Sequence, residues 1–152
     1  MTANTDRDLV SFVVFAFNQE DFIEAAVKAA FAQSYSPLEI ILSDDCSSDS
    51  TFDIMRRMAE DYQGPHKIHL NRNTENLGFI QHLNKVFELC SGDMIVYSPG
   101  DDISLPERTA ELYEAFKVDR PLLVHSDAFE MKEDGKITSN LKTRQDHLAA
   151  LD

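Results

Sequence analysis

Glycine is scarce in this chain of 152 residues, and the five present (Gly64, Gly78, Gly92, Gly100 and Gly135) stand singly. They make neither a G-x-G-x-x-G fingerprint nor a P-loop, so a phosphate-bearing ligand would find no glycine loop to cradle it. Cysteine is nearly lacking. Cys46 and Cys90 are too few for a disulfide framework and read as reduced thiols. Positive charge is in the minority, with 14 lysines and arginines against 27 aspartates and glutamates, for a formal net charge of −13. Such a field repels nucleic acid and anionic lipid, which argues against a broad polyanion-binding surface. No apolar run approaches the length of a membrane span, and residues 1–8 carry no signal-peptide pattern. The five histidines (His66, His69, His82, His125 and His147) lack metal-ligand spacing and read as structural or surface residues.

What is present is an alternation of β-rich apolar runs with segments of helical period. Val10 to Phe17 reads VSFVVFAF, the near-continuous run of a strand covered on both faces. Ile23, Ala26, Val27, Ala30 and Phe31 then recur at helical spacing, and Leu38 to Leu42 (LEIIL) gives a second strand. Thr51, Ile54, Met55, Met58 and Tyr62 form one stripe of a second helix, before a short third strand from Lys67 to Leu70. A third helix has Phe79, Leu83, Val86, Phe87 and Cys90 as its expected inner face, followed by a fourth strand, Met94 to Tyr97. Ser104 can cap a fourth helix with Pro106 in its first turn, ending near Lys117. Pro121 to His125 reads as a fifth strand, and Phe129 and Met131 face Ile137 across a hairpin at Glu133-Asp134-Gly135. Alternating strands and helices imply an α/β fold, with right-handed crossovers and a mostly parallel sheet carrying helices on both faces.

The carboxylates gather where strands end. The second strand runs into Ser43-Asp44-Asp45-Cys46-Ser47-Ser48-Asp49-Ser50-Thr51, and the fourth into Ser98-Pro99-Gly100-Asp101-Asp102. In an open parallel sheet, ligands bind outside the carboxyl ends of the strands, where strand order reverses. Both aspartate pairs, and Asn18 after the first strand, fall at that edge. Converging anions raise one another's pKa, and helix N-termini offset only about 0.3–1 kcal/mol per carboxylate. A divalent cation with hard oxygen ligands would do more. Each motif also has a plainer reading. Asp49 with Ser47 and Ser48 suits a helix cap, Asp44-Asp45 and Asp101-Asp102 suit turns, and Asn76-Leu77-Gly78 suits a loop capping the third helix. A receiver domain, another acidic α/β module, wants an acid pair after strand one, where Phe17-Asn18 stands.

Taken in order, VSFVVFAFNQEDFIEAAVKAAFAQSYSPLEIILSDDCSSDST and then ENLGFIQHLNKVFELCSGDMIVYSPGDDISLPER resemble the family 2 glycosyltransferases of the GT-A fold. The resemblance covers roughly Leu9 to Phe129 and is specific as an ordered set, although each motif is weak alone. It implies a GT-A-type, Rossmann-like sheet with the C-terminal hairpin appended. It also implies inverting transfer of a sugar from a nucleoside-diphosphate donor, with a lean towards UDP, to a hydroxyl acceptor in cell-surface polysaccharide or glycoconjugate synthesis. The backbone of Ala16 and Phe17, with Asn18 nearby, would lie against the base, and Asp45 would contact it. Asp101 and Asp102 would take the ribose and a Mg²⁺ or Mn²⁺ ion bridging the diphosphate. Pro99 stands where the family's D-x-D-D pattern has its first aspartate, so which of the two acids holds metal is open. Cys46 replaces a frequent glycine, a minor change if the backbone there is not left-handed.

Family members continue well beyond this length, with an acceptor site and a general base that nothing after Phe129 resembles. The expectation is therefore a single donor-binding domain over residues 1–152, truncated at its C-terminus, with no assigned catalytic base. It would be cytoplasmic, at the inner membrane face in a full-length form. A module that binds nucleotide without catalysing is the alternative.

Overall fold

The computed structural model describes residues 7–132 and 135–137. Its elements are β1 (Val10–Ala16), α1 (Ile23–Phe31), β2 (Leu38–Asp44), α2 (Thr51–Asp61), β3 (Lys67–Arg72), α3 (Phe79–Phe87), β4 (Met94–Pro99) and α4 (Arg108–Asp119). The four strands form one sheet in the order β3-β2-β1-β4, every pair parallel. Two compact units divide the chain, Met1–Glu114 and Ala115–Asp152, and the whole sheet lies in the first.

The strand order decides which helix covers which face. From β1 to β2 to β3 the chain steps one way across the sheet, and from β3 to β4 it steps back past β1. With right-handed crossovers, α1 and α2 then share one face and α3 takes the other. Packing agrees. Val86 of α3 is buried with Val13 and Phe15 of β1 and Ile41 of β2, while α1 packs on α2. Phe12, Val14, Ile40 and Leu42 point to the opposite face and are fully buried. β1 and β2 are buried throughout because both faces are covered, whereas β3 at the sheet edge has only exposed and half-buried residues.

Three expectations need correction. Residues 121–125 form no strand, and Leu122 and Leu123 are exposed; a short apolar run is a strand only where its backbone hydrogen bonds are taken up by a neighbour. The stripe of α3 is centred on His82 and Val86, both buried, while Phe79 is 60% and Phe87 36% exposed. A hydrogen bond from the sheet to the His82 ring turns the helix this way, as described below. Ser104 caps nothing. Helix α4 starts at Arg108, and the Ser104 hydroxyl instead accepts a hydrogen bond from Arg108 Nη1 at 3.1 Å. The expected facing of Met131 and Ile137 is present as an antiparallel bridge, with Glu133 and Asp134 of the turn outside the described residues.

The amino-terminal end of the sheet is closed by a buried polar cluster. Glu39 of β2 is 2% exposed, and its Oε1 accepts hydrogen bonds from Ser11 Oγ and from Ser91 N, both at 2.6 Å. Gly92 N donates to Ser11 Oγ at 2.8 Å, so β4 enters the sheet pressed against β1. A Cβ on Gly92 would lie 2.6 Å from Ser11 N and 2.8 Å from Leu9 O, both backbone atoms that cannot rotate away. Gly92→Ala is expected to destabilise the fold by roughly 1–3 kcal/mol, read as a fall in the urea midpoint. An unchanged midpoint would show that β4 can back away from β1 at no cost.

Candidate functional site

Three neighbouring strands bring their carboxyl ends to one edge. Ala16 pairs with Asp44 across β1 and β2, and Phe15 with Pro99 across β1 and β4. Strand order reverses between β1 and β4, so the crevice expected in such a sheet lies there. Ala16, Phe17, Asn18, Asp45, Asp101 and Asp102 all sit at this edge. What holds each of them differs.

The loop after β1 is laced to the loop after β2 by six hydrogen bonds. Asn18 N donates to Ser47 Oγ, Gln19 N to Thr51 Oγ1 and Glu20 N to Asp49 Oδ2, at 2.9, 2.8 and 3.1 Å. In return, Ser48 N and Ser48 Oγ donate to Asn18 Oδ1, and Ser50 N to Glu20 Oε2. Asn18 sits at φ +50°, a conformation asparagine tolerates better than most residues. The Asn18 side chain is therefore committed to holding the loops together. Asp49 is committed too, since its Oδ1 accepts Thr51 N at 3.0 Å, while the N-cap residue of α2 is Ser50, which makes no side-chain cap bond. The hydrogen bonds to Thr51 and Glu20 hold its carboxyl below the usual range, outweighing the upward push of burial.

Asp44 and Asp45 are buried, at 0% and 2% exposure. Asp44 Oδ2 accepts Ser47 N at 3.0 Å and lies 3.3 Å from Arg72 Nε, while its Oδ1 is buried with no partner. Arg72 lies over the Phe52 ring and donates to Ser47 O at 2.8 Å, which clamps this loop from the β3 side. Asp45 reaches the other way. Its Oδ1 accepts Asn73 Nδ2 at 2.8 Å and Leu77 N at 3.0 Å, and its Oδ2 accepts Gly78 N at 2.9 Å. One carboxylate thus fixes the segment between β3 and α3. Gly78, at φ +77°, is the N-cap residue of α3, a backbone state that favours glycine. The capping role suggested for Asn76-Leu77-Gly78 is real, since Asn76 Oδ1 also accepts Gly78 N.

Behind Asp45 lies His82, 2% exposed, with Nε2 2.7 Å from Ser43 Oγ. Burial pushes its pKa below the ordinary imidazole value, and the carboxylates of Asp45 and Asp44 oppose this. The residues missed in the sequence cluster here: Ser43, Asn71, Arg72, Asn73 and His82. Asn71-Arg72-Asn73 was their one available signal, a polar run at the end of the third strand.

The second acid pair is different in kind. Beyond β4 the chain turns at Pro99-Gly100-Asp101-Asp102, with Asp102 N donating to Pro99 O and Gly100 N to Phe15 O. Both aspartates are exposed. Asp102 is pushed above the usual carboxylate range, by partial desolvation first and by Asp101 second, against the pull of Arg108. Gly100 is buried, and a Cβ there would meet Gln19 Oε1 at 2.5 Å and the Ala16 side chain at 2.9 Å. The turn therefore lies tightly against the end of β1. Among the described residues no three histidine, cysteine, aspartate or glutamate side chains converge as a complete metal cage. A pair of adjacent carboxylates does suit Mg²⁺ or Mn²⁺ held jointly with substrate phosphates, which needs only one or two protein ligands.

Known proteins share this architecture. The model of the family described as glycosyl transferase family 2 matches residues 11–147. A relative in Escherichia coli, the UDP-Glc:alpha-D-GlcNAc-diphosphoundecaprenol beta-1,3-glucosyltransferase WfaP, is 32% identical over 95 residues, covering 62% of this chain and 36% of the relative. The mannosyltransferase PcManGT from Pyrobaculum calidifontis, solved with GDP-Man and Mn²⁺, superposes with a TM-score of 0.69 at 24% identity, covering 76% of this chain and 34% of that one. S. aureus TarS in complex with UDP superposes at 0.62 with 19% identity, over 71% and 32% of the two chains. The two structures attest the fold. This chain spans about a third of the length of each of these proteins.

Cys46 corrects one further expectation, because its φ of +62° is left-handed after all. A residue with a Cβ is held there at a cost of about 1 kcal/mol. Cys46→Gly should therefore raise the urea midpoint, by up to about 1 kcal/mol once the entropy of glycine is deducted. A lowered midpoint would show that the half-buried thiol contributes more packing than its backbone strain removes.

Proposed function

Given that the chain belongs to glycosyl transferase family 2, we propose that it forms the donor-binding part of an inverting glycosyltransferase whose donor is a UDP-sugar. The observation that carries this reading is the contrast between the two acid pairs on one crevice. Asp44 and Asp45 are enclosed by donors of the protein itself, whereas Asp101 and Asp102 face solvent side by side with Asp102 pushed up in pKa. A pair in that state is poised to accept a cation brought in with a diphosphate.

In this reading Ala16 and Phe17 offer their backbone to the base, with Asn18 holding the loop beside them, and Asp45 accepts an N–H from the base. Counting lone pairs supports uracil. A carboxylate has about four acceptor positions, and Asp45 has filled three with Asn73, Leu77 and Gly78. One position remains, which matches the single N3–H of uracil; guanine presents N1–H and N2–H side by side and asks for two. Asp101 lies where the ribose would be held, and Asp102 with Asp101 would hold Mg²⁺ or Mn²⁺. When bound, such an ion neutralises the charge that develops on the departing nucleoside diphosphate. Gly100 keeps this turn against β1, so base and diphosphate contacts stay at a fixed spacing.

For the acceptor, the relative WfaP is named for a sugar carried on diphosphoundecaprenol. A lipid-linked hydroxyl acceptor at the cytoplasmic membrane face is the corresponding proposal for the whole protein. Among the described residues no helix is long and apolar enough to cross a membrane. The general base that would deprotonate the acceptor has no assignment among them.

Titration calorimetry with UDP and GDP, with Mn²⁺ and with excess chelator, tests the donor site. UDP should bind more tightly than GDP and only with the metal, and Asp102→Asn should abolish the metal dependence. Equal UDP affinity in chelator would overturn the cation role, and tighter GDP binding the base assignment.

The same substitution has a signed effect on stability. Because folding raises the pKa of Asp102, its ionised form opposes the fold, fully so above the folded-state pKa. Asp102→Asn should therefore raise the Tm of the metal-free protein at pH 7, and the difference should vanish at acid pH, where the aspartate is protonated as well.

A further inference from the structure

His82 is a buried, titratable side chain that neither the donor contacts nor the cation pair uses. It begins a chain of side-chain hydrogen bonds that ends on Asp45. His82 Nε2 is 2.7 Å from Ser43 Oγ. Asn71 Nδ2 donates to Ser43 Oγ at 2.9 Å and to Asn73 Oδ1 at 3.2 Å, and Asn73 Nδ2 donates to Asp45 Oδ1 at 2.8 Å. Ser43 Oγ accepts from Asn71 and keeps one proton to donate, and burial favours the neutral imidazole. In the relay that proton goes to His82 Nε2, which corresponds to the neutral tautomer protonated on Nδ1. We propose that His82 is a positioning residue for the base pocket, acting through Ser43, Asn71 and Asn73 to set the orientation of the Asp45 carboxylate. The proposal rests on the reading of Asp45 as the residue that accepts from the base.

The geometry makes Asp45 sensitive to this relay. Its Oδ1 is shared between Asn73 and Leu77, so rotation of Asn73 would release one of two donors and let the carboxylate swing about its bond to Gly78. The single acceptor position left for a base would then point elsewhere. Asn73 is 9% exposed and cannot turn to water instead. The carboxylates facing His82 are those of Asp45 and Asp44 at the end of β2, and β1 presents the edge-on Phe15 ring, with centroids 6.2 Å apart. Protonation of the imidazole would add Nε2–H and compel Ser43 Oγ to accept from both sides, leaving the Ser43 proton without its acceptor. Burial disfavours that state, so the relay is intact at neutral pH and is disturbed only on acidification below the ordinary imidazole range.

The backbone amides of Leu77 and Gly78 report on Asp45 without any ligand, since both donate to it. The experiment combines their NMR signals in the ligand-free protein with the Kd for UDP in saturating Mn²⁺, in wild type, His82→Leu, His82→Gln and Asp45→Asn. In His82→Leu both amide signals should move and UDP binding should weaken roughly tenfold, as for loss of one buried hydrogen bond. His82→Gln, whose side-chain oxygen can still accept from Ser43, should restore both. On acidification below the ordinary imidazole range the two wild-type amides should titrate together, and in His82→Gln they should not. Unmoved Leu77 and Gly78 signals in folded His82→Leu would overturn the proposal, as would the wild-type acid titration persisting in His82→Gln. Weakened UDP binding in Asp45→Asn but not in His82→Leu would overturn the positioning role and spare the base contact. Wild-type affinity in Asp45→Asn would overturn the base contact itself, and the amide titration would then still decide whether the relay exists.

Discussion

The crevice at the carboxyl edge of the sheet depends on one buried carboxylate. Asp45 lies at the end of β2, almost wholly covered, with three donors around it. A carboxylate removed from water is tolerable only where such donors replace its hydration, and hydrogen bonds to an ionised acceptor are worth about 1.5–3 kcal/mol each. Two of the three donors are backbone amides at the N-terminal approach to α3. The need of one charge for partners therefore helps to fix where that helix starts, while strand order sets which side of the sheet it covers.

Two aspartate pairs that look alike in the chain meet opposite fates. The first is absorbed into the protein, with Ser47, Arg72, Asn73, Leu77 and Gly78 supplying donors. The second stands on an exposed turn where partial desolvation, and then the neighbouring Asp101, raise the cost of ionising Asp102. Only the second is left wanting a counter-ion. The −13 charge of the whole chain sharpens the point, because a dianionic ligand approaching this surface meets repulsion that a local cation must offset.

Rigidity at the crevice comes from side chains bonding to backbone across loops rather than from regular structure. Asn18, Glu20, Ser47, Asp49 and Thr51 exchange hydrogen bonds between the ends of β1 and β2, so loops with little apolar packing still hold fixed positions. The cost is that residues which look available for a ligand are already committed. Asn18 is the clearest instance, its oxygen taken twice by Ser48.

The sequence by itself determined the alternation of strands and helices, because apolar periodicity is a local property that each segment carries wherever it lies. Periodicity plus turn residues located β1 to β4 to within two residues, and the carboxylates could be assigned to strand ends because strand ends follow from strands. Only the tertiary structure decided the rest. That His82 faces inward and Phe79 outward depends on Ser43, 39 residues away, being opposite the helix. That Cys46 is left-handed goes with a loop whose next residue, Ser47, is held by Arg72 and Asn18. Hydrogen-bond partners distant in the chain leave no periodic trace, which is why the network behind Asp45 became visible only once the strands were side by side.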